Sequence, residues 1–277
     1  MKHLLLLFFL ALAPASATPL FRPIVGENLN YVSRPGETLL SIAFANGVAI
    51  EHLAFANGYP TSATSILPGT RLVIPKKRIL PANPPSNGLV LNVPERVLYF
   101  FQDGELRDFL PVSVGSAPKT LTPLGSFSII EKVKEPTWYA PAWAEQPGPH
   151  PPGPDNPLGD RWIGLSAPRV GIHGTNDPLN VGASVTHGCI RCYPEHIRML
   201  YEKVRVGLPV RIEYETAKIG KDAEGNLYLA TFPDVYQRSD PNLRAAKLLA
   251  RAGRGSLLDD RNFVGKISLT LGLPLKL

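Results

Sequence analysis

The sequence predicts an α+β protein with a small βααβ unit followed by a larger, mostly β domain. Hydrophobic residues make up 44% of the 277 residues and charged residues 19%, which is typical of a globular chain. The length exceeds the usual size of one domain, about 100–200 residues, so we expect two units. The 29 prolines and 24 glycines favour turns and short strands over a helical bundle.

The first 17 residues have the layout of a cleaved export signal. Lys2 supplies a basic start, an apolar run follows over 4–12, and Ala15 and Ala17 form the small-residue pattern of a cleavage site. The run is too short to cross a bilayer, which takes about 20 residues, and no comparable run follows. We therefore expect residues 1–17 to be removed and the mature chain to be exported, without a transmembrane segment.

The formal net charge is +6. This weakly favours an anionic partner such as a cell wall or a membrane surface. The Lys and Arg residues are scattered along the chain and no aromatic-basic surface stands out, so we do not expect nucleic acid as a partner.

Residues 30–76 contain the smaller unit. Short β-type runs lie at its two ends, over 31–32 and 72–74. Between them, apolar residues repeat at i, i+3 and i+4 from Leu39 and again from Ile50, which predicts two short amphipathic helices. Each helix ends in the tetrapeptide Phe-Ala-Asn-Gly, whose glycine can adopt the left-handed conformation that closes a helix.

This unit resembles a LysM module over nearly its whole length, on the runs YVSRPGETLLSIA, LAFANG and LPGTRLVIP. LysM modules bind glycans that contain N-acetylglucosamine, such as peptidoglycan. The resemblance implies a groove between the loop after the first strand and the loop before the second. An alternative stays open, in which these residues only shape turns. The candidate glycan-binding residues are Gly36, Glu37, Thr38, Leu39, Leu67 and Pro68.

Residues 77–87, rich in Pro and Asn, predict a stiff, extended linker. Residues 88–214 then alternate in β fashion, with a hairpin signal at Asp103-Gly104. One amphipathic helix is predicted directly after Pro194, which suits a first turn. In the extension 215–277, whose role the sequence does not indicate, the run DAEGNLYLATF predicts a hairpin, Ala245–Arg251 a helix, and the last residues an edge strand.

Both cysteines lie in one short run, THGCIRCYPEHI, as Cys189 and Cys192. A catalytic thiol must be deprotonated, and the predicted helix after Pro194 would lower the pKa of Cys189 through its N-terminal dipole. A nearby histidine would accept the thiol proton and return it to the leaving group. Gly188 would let backbone N–H groups point at a developing oxyanion. These residue types fit acyl transfer through a thioester.

The second domain resembles the catalytic domain of the L,D-transpeptidases, the YkuD family, over roughly 88–213. The resemblance rests on HGTN, on SVTHGCIR with fifteen residues between His173 and Cys189, and on TPLGSFSI, EPTWYAP and NPLGDRWIG. It implies a mostly β, sandwich-like fold with one helix after the catalytic cysteine. A LysM module ahead of this domain recurs in exported members.

The resemblance also implies roles for individual residues. Cys189 would be the nucleophile and His173 its general base and acid, oriented by the carbonyl of Gly174. His187 and Gly188 would line the oxyanion site with the Cys189 N–H. The candidate substrate-binding residues are Arg191, Thr175, and Trp138 and Tyr139 of a loop over the donor groove, where the aromatics have an equal alternative as packing residues.

Two other interpretations of the cysteine pair stay open. A Cys-x-x-Cys motif before a helix is typical of thiol oxidoreductases, although the βαβ context is missing. His173, His187, Cys189 and Cys192 supply the ligand types of a zinc site, although a second close pair is missing. Cys192 would otherwise fill a small apolar site, or form an inactivating disulfide with Cys189.

The resemblance implies an exported, periplasmic, wall-associated L,D-transpeptidase of cell-wall biogenesis and cell shape, which needs no metal or organic cofactor. It would release D-alanine from tetrapeptide stems of peptidoglycan. The stem would then pass to another stem, giving a 3→3 cross-link, to an outer-membrane lipoprotein, or to water. The alternatives are a catalytically inactive wall-binding protein and a thiol oxidoreductase.

Overall fold

The computed structural model describes residues 19–60, 65–118, 120–142, 147–269 and 271–277. The predicted export signal, 1–17, lies outside these ranges. The helices are α1 (Leu39–Ala45), α2 (Ile50–Ala56), α3 (Pro194–Lys203), α4 (Pro241–Arg251) and α5 (Arg261–Ser268). The strands are β1 (Arg22–Val25), β2 (Leu29–Val32), β3 (Arg71–Ile74), β4 (Arg78–Ile79), β5 (Gly88–Asn92), β6 (Val97–Gln102), β7 (Glu105–Gly115), β8 (Gly125–Lys134), β9 (Trp138–Ala140), β10 (Gly148–His150), β11 (Arg161–Leu165), β12 (Gly171–His173), β13 (Ser184–Thr186), β14 (Ile190–Cys192), β15 (Pro209–Glu213), β16 (Ala217–Lys221), β17 (Leu227–Thr231) and β18 (Leu275–Lys276). Within the described ranges, no single helix has the length and apolar composition needed to cross a membrane.

The predicted βααβ unit is confirmed. Strands β2 and β3 pair in antiparallel register, and α1 and α2 bury their apolar faces against them. Helix α1 begins at a capping box in which Thr38 and Ser41 exchange side-chain and backbone hydrogen bonds. Helix α2 is tied to β3 by the amide of Asn57, which bonds both the N–H and the carbonyl of Val73. The shared core consists of Leu39, Ile42, Ala43, Val48, Leu53, Leu72 and Ile74.

The larger domain is a nine-stranded sheet closed on itself. Its strand order is β13-β7-β14-β12-β11-β8-β15-β5-β6, and β6 pairs again with β7. Closure is achieved by the 11-residue strand β7, whose first part pairs with β6 and whose second part pairs with β14. Helix α3 covers the core with Ile197 and Leu200. The predicted mostly β domain with a helix after the second cysteine is confirmed, and its sheet is barrel-like where the resemblance implied a sandwich.

A third unit combines the C-terminal extension with both flanks of the LysM module. Its five-stranded sheet has the order β18-β17-β16-β1-β4, and α4 and α5 pack on it through residues such as Leu249 and Phe263. The predicted hairpin (β16–β17) is present, and so is the predicted helix over Ala245–Arg251, which begins earlier, at Pro241. The edge strand predicted over the run ISLTLGLPLKL is limited to Leu275–Lys276, because the first residues of that run belong to α5. Strands β1 and β4 come from residues just before and just after the LysM module, so the module is inserted between two neighbouring strands of this sheet.

Strand β4 also corrects the prediction of a linker over residues 77–87. Arg78 and Ile79 pair with β1 and are buried, at 2% and 1% exposure, and Leu80 is buried at 8%. The run 78–80 therefore belongs to a packed sheet. The sequence did not reveal it because a two-residue strand has no periodicity of its own and depends on a partner more than fifty residues away.

A buried ion pair joins the third unit to the barrel. The Lys218 ammonium lies 2.5 Å from the Glu95 carboxylate, and both side chains are fully buried. The Tyr99 hydroxyl donates a second hydrogen bond to Glu95 at 2.6 Å. Removing one partner of such a pair leaves an unpaired buried charge, which costs roughly 3–5 kcal/mol. The barrel and the third unit are therefore held in one fixed arrangement.

Candidate active site

Strands β12 and β14 set the geometry of the candidate site. They run parallel, with Ile172 opposite Ile190 and His173 opposite Arg191. Successive side chains of a strand point to opposite faces. The two isoleucines enter the barrel core, so His173 and Arg191 lie together on the other face.

Cys189 immediately precedes β14 and lies on the face of Arg191. The thiol is partly buried, with its Sγ 3.7 Å from the carbonyl oxygen of Arg169. Burial raises the pKa of this thiol, while a backbone hydrogen bond from Gly171 and the charge of Arg191 lower it. Burial has the larger effect, so the resting side chain at neutral pH is a thiol.

The predicted activation of Cys189 by a helix N-terminus was wrong. Helix α3 begins at Pro194, and strand β14 lies between it and the cysteine. A helix dipole acts over about its first turn only. The three residues after Cys189 are extended because they pair with β12 and β7, a pairing that the local sequence does not display.

His173 is oriented to accept a proton at Nε2. Its ring is 5% exposed, and Nδ1 lies 2.7 Å from the carbonyl oxygen of Gly174, the contact that the resemblance implied. Since a carbonyl only accepts, the proton is on Nδ1 and the lone pair on Nε2. Burial, followed by the charge of Arg191, lowers the pKa of His173 to about 4, although the Gly174 hydrogen bond raises it. The imidazole is therefore neutral at pH 7.

The register brings Cys189 and His173 within reach of each other. One strand spacing and two residues along the strand separate them, which puts their Cα atoms roughly 8 Å apart. Both side chains leave the same face of the sheet, so thiol and imidazole can approach by side-chain rotation. The arrangement can support transfer of a thiol proton to His173 during nucleophilic attack.

Trp162 is a site residue that the sequence reasoning did not single out. It lies directly opposite His173 in the β11–β12 pair, and the two rings stack with centroids 6.0 Å apart at 24°. The indole N–H donates to the Glu131 carboxylate at 2.8 Å. A Cβ at Gly171 would lie 2.5 Å from the indole, so glycine is needed there. The ring plane of His173 is thus fixed by a tryptophan that is itself held on two sides.

The signal for Trp162 was present but incomplete. The run NPLGDRWIG contributes to the family resemblance, which implies no role for its tryptophan. Its alternation predicts a strand, but the choice of β12 as partner and the register opposite His173 depend on the closed sheet.

The turn from Thr186 to Cys189 is held together by one hydroxyl. Thr186 Oγ1 accepts from the Gly188 N–H at 3.2 Å and donates to the Cys189 carbonyl at 2.6 Å. Gly188 has φ +108°, which L side chains rarely adopt. Its N–H donates to Thr186 in this structure, so Gly188 shapes the turn that leads to Cys189, and its predicted place in the oxyanion site stays a prediction. The Cys189 N–H remains a candidate donor at that site.

Arg191 is the cation of the site. Burial lowers its pKa, and the nearby Asp177 carboxylate raises it by a smaller amount, to which Cys189 adds only when it is a thiolate. The buried Nε has no hydrogen-bond partner among the described residues. An arginine with an unsatisfied donor beside the thiol is suited to bind a substrate carboxylate.

The other predicted site residues are more dispersed. Thr175 is buried, and its hydroxyl accepts from the Asp177 N–H at 2.8 Å, so it shapes the loop after β12. His187 lies in the turn next to Cys189. Trp138 and Tyr139 form strand β9 of a separate hairpin, where Trp138 packs on His150 and Tyr139 is 77% exposed. Tyr139 is therefore available to a ligand, while Trp138 takes the packing alternative.

Cys192 lies on the face of β14 opposite to Cys189. Its side chain is in the barrel core at 0% exposure, and burial raises its pKa to about 12. Since the two sulfurs lie on opposite faces of the sheet, neither the inactivating disulfide nor the oxidoreductase alternative fits this geometry. The zinc alternative fares no better, as no group of three or more His, Cys, Asp or Glu side chains in the described ranges is placed to hold a metal ion.

The predicted glycan loops are at the surface of the LysM module, with one exception. Leu67 is 80% exposed, and Gly36 and Pro68 are exposed beside it. Glu37 is held by the Tyr31 hydroxyl at 2.6 Å. Leu39 is fully buried in the LysM core, so its side chain does not face a ligand; it was placed in the groove by position along the loop alone.

Two family models match the chain. A LysM domain matches residues 31–75, and the L,D-transpeptidase catalytic domain, YkuD, matches residues 86–212. The probable L,D-transpeptidase YcfS of Escherichia coli K12 is 31% identical over 254 residues, which cover 85% of this chain and 78% of YcfS. The chain belongs to the L,D-transpeptidase family.

The chain is also similar to two other proteins that are named L,D-transpeptidases. The probable L,D-transpeptidase YbiS of E. coli K12 is 36% identical over 176 residues, which cover 58% of this chain and 55% of YbiS. The chain thus spans about half the length of that relative. The solved L,D-transpeptidase from Mycobacterium smegmatis superposes with a TM-score of 0.39 at 20% identity, over 56% of this chain and 69% of the other.

Proposed function

We propose that this L,D-transpeptidase acts on peptidoglycan tetrapeptide stems with Cys189 as its nucleophile and His173 as its general base and acid. The observation that carries the proposal is a neutral imidazole, with its Nε2 free to accept, on the same face of β12 and β14 as a partly exposed thiol. The catalytic unit is the barrel, residues 88–214.

In the first half-reaction, Cys189 attacks the carbonyl that joins the third-position diamino acid to the terminal D-alanine. His173 Nε2 takes the thiol proton as the S–C bond forms. The oxyanion accepts a hydrogen bond from the Cys189 N–H. His173 then returns the proton to the departing amine, D-alanine leaves, and a thioester remains. Arg191 binds a carboxylate of the donor stem.

In the second half-reaction, an amine attacks the thioester and His173 accepts its proton. If the amine belongs to another stem, the product is a 3→3 cross-link; if it is a lysine of an outer-membrane lipoprotein, the product is an anchored lipoprotein. Water as the acceptor gives a carboxypeptidase reaction at the same site. Cys189 is regenerated in each case.

The LysM module, residues 30–76, would hold the enzyme on glycan strands through Gly36, Glu37, Thr38, Leu67 and Pro68. Gly36, Leu67 and Pro68 are exposed, Glu37 and Thr38 are half-buried, and none of the five belongs to the LysM core. An enzyme whose substrate is in the wall must be exported, which agrees with the predicted export signal. We therefore propose that the protein is periplasmic and associated with the cell wall.

The proposal is tested by incubating the full mature chain with tetrapeptide muropeptides and measuring the mass of the intact protein by mass spectrometry. We expect a covalent stem adduct on the wild type, loss of D-alanine from the donor, and no adduct on Cys189→Ala. The Cys192→Ala variant is the matched control and should retain the adduct. Wall binding without any adduct on the wild type would instead indicate a catalytically inactive wall-binding protein.

A further inference from the structure

The LysM module packs directly against the segment that carries the nucleophile. This segment, residues 181–193, contains Cys189 and both of its flanks. The module reaches it at two places, the end of α1 and the turn between α1 and α2. The two contact residues of the segment, Gly182 and Tyr193, lie on either side of Cys189.

The end of α1 meets the C-terminal flank of the nucleophile segment. The Phe44 ring packs edge-on against Tyr193 with centroids 5.1 Å apart, and it stacks on His196 of α3 at 6.5 Å. Tyr193 is fully buried by this packing. Gly47 lies against the same histidine, since a Cβ there would be 3.5 Å from the His196 Nε2.

The turn between the LysM helices meets both flanks. The Val48 carbonyl accepts from the Tyr193 hydroxyl at 3.5 Å. On the other flank, a Cβ added to Gly182 would lie 2.5 Å from the Cβ of Ala49. Both Val48 and Ala49 are 1% exposed. The backbone that leads into the turn of Cys189 is therefore in van der Waals contact with the LysM module.

The module is also held from its other side. Glu51 of α2 forms an ion pair with Arg96 of the barrel at 2.8 Å. His52 Nδ1 lies 3.4 Å from the guanidinium of Arg78 in β4. Both ends of the module also continue into the paired strands β1 and β4. The module is therefore held in place on several sides, and so are the contacts that Phe44 and Ala49 make with the nucleophile segment.

We propose that Phe44 and Ala49 are positioning residues of the transpeptidase site, through which the LysM module holds the nucleophile segment and thereby aims Cys189 at His173 and the acyl donor. This inference rests on the proposed function. In it, the module acts on the catalytic step itself as well as on attachment to the wall. Misplacing a nucleophile by about 1 Å can reduce a rate by roughly a hundredfold.

The repeated tetrapeptide provides a matched control within the module. Phe44 and Phe55 occupy the same place in the two Phe-Ala-Asn-Gly copies and both are half-buried. Phe55, however, has no ring contact with a described residue, and a Cβ at Gly58 would meet nothing within 4 Å. The two phenylalanines therefore share a local role in helix ending, while only the first reaches the nucleophile segment.

The test compares Phe44→Ala, Phe44→Tyr and Phe55→Ala in the full mature chain. The readouts are the single-turnover rate of stem acylation, the rate of Cys189 alkylation by iodoacetamide, binding to isolated peptidoglycan, and the melting temperature. We expect Phe44→Ala to slow acylation roughly tenfold or more and to change the alkylation rate, with wall binding unchanged. Phe55→Ala should leave both rates at the wild-type level, and Phe44→Tyr should restore them.

Wild-type rates in both Phe44→Ala and Phe55→Ala would overturn the inference, because the Phe44 contact would then have no effect on acylation. Equal slowing in both would also overturn it, because the effect would then come from LysM stability. A second pair addresses the other flank. Gly182→Ala should slow acylation through its clash with Ala49 and through the backbone strain of an L residue at φ +102°. Adding Ala49→Gly should recover only the part of the rate that is lost to the clash. Alkylation of Cys189 reports its placement even if no stem adduct forms, so failure of the proposed function remains distinguishable from failure of this inference.

Discussion

At the scale of single residues, the site is defined by two pKa shifts of opposite sign. Burial raises the pKa of the Cys189 thiol and lowers that of His173 to about 4. A preformed thiolate–imidazolium pair would need the reverse order. The resting state is therefore a neutral thiol beside a neutral imidazole, and the proton moves during attack.

These protonation states predict that the acylation rate decreases at acidic pH through the titration of one group. His173 accepts a proton only when it is neutral, so the single-turnover rate at saturating donor should fall as the pH drops through about 4. Replacing Arg191 by Gln removes a positive charge that lowers the His173 pKa, and the midpoint should move upward, towards 6.5. Rates are measured from pH 3.5 to 8 on protein shown by circular dichroism to be folded. A wild-type midpoint between 6 and 7 would show that burial does not lower the His173 pKa in the donor complex.

At the scale of secondary-structure elements, the decisive feature is strand register. β11, β12 and β14 place Trp162, His173 and Arg191 side by side on one face. Because successive side chains of a strand point to opposite faces, a shift of the pairing by one residue would turn the functional side chains into the core. Gly171 allows the indole to lie across β12.

The position of Trp162 beside His173 on this face predicts that Trp162 positions the His173 ring. Trp162→Ala should lower the acylation rate roughly tenfold with little change in donor affinity, because the indole orients the base. Trp162→Phe keeps a stacking surface without the Glu131 hydrogen bond and should have an intermediate rate. Val133→Ala, at a partly exposed position opposite Trp162 in β8, serves as the control. An effect confined to donor affinity would place Trp162 in substrate binding instead.

Elements with a local signature were predicted from the sequence, and those made by distant pairing were not. The two LysM helices, the β16–β17 hairpin and α3 each show a period or a turn signal over consecutive residues. Strand β4, the extended run after Cys189 and the stacking of Trp162 each depend on a partner strand elsewhere in the chain. The candidate pair Cys189 and His173 was predicted by motif, whereas the protonation of both groups followed only from their burial.

At the scale of the whole molecule, three histidines of the described ranges are neutral rings, of which His52 and His173 are buried and His196 is half-buried. Burial lowers the pKa of His173 and of His196 to about 4 and that of His52 well below its usual value, with Arg78, Arg96, Arg191 and Lys76 adding to the effect. The unfolded chain binds protons at these positions near pH 6.5, which the folded chain does not. Stability is therefore highest above about pH 6.5 and decreases as the pH falls towards 4.

This linkage predicts marked acid sensitivity of folding. For each ring whose pKa in the folded chain is about 4, the free energy of unfolding decreases by on the order of 3 kcal/mol as the pH falls from above the unfolded pKa to below the folded one. Urea unfolding between pH 7.5 and 4.5 should show the free energy of unfolding falling steadily. His196→Phe should flatten the slope. Parallel slopes for the wild type and this variant would contradict this origin.

The insertion of the LysM module between β1 and β4 has a further consequence for how such a chain can be rearranged. Val25 and Arg78 are paired partners in the register of the two strands. If the module between them were removed, the Cα atoms of these two residues would therefore be about 5 Å apart. A two-residue turn could join them into an ordinary hairpin and leave the surrounding sheet whole. The LysM module could in this sense be excised without breaking the sheet of its host, although its contacts with Gly182 and Tyr193 would be lost.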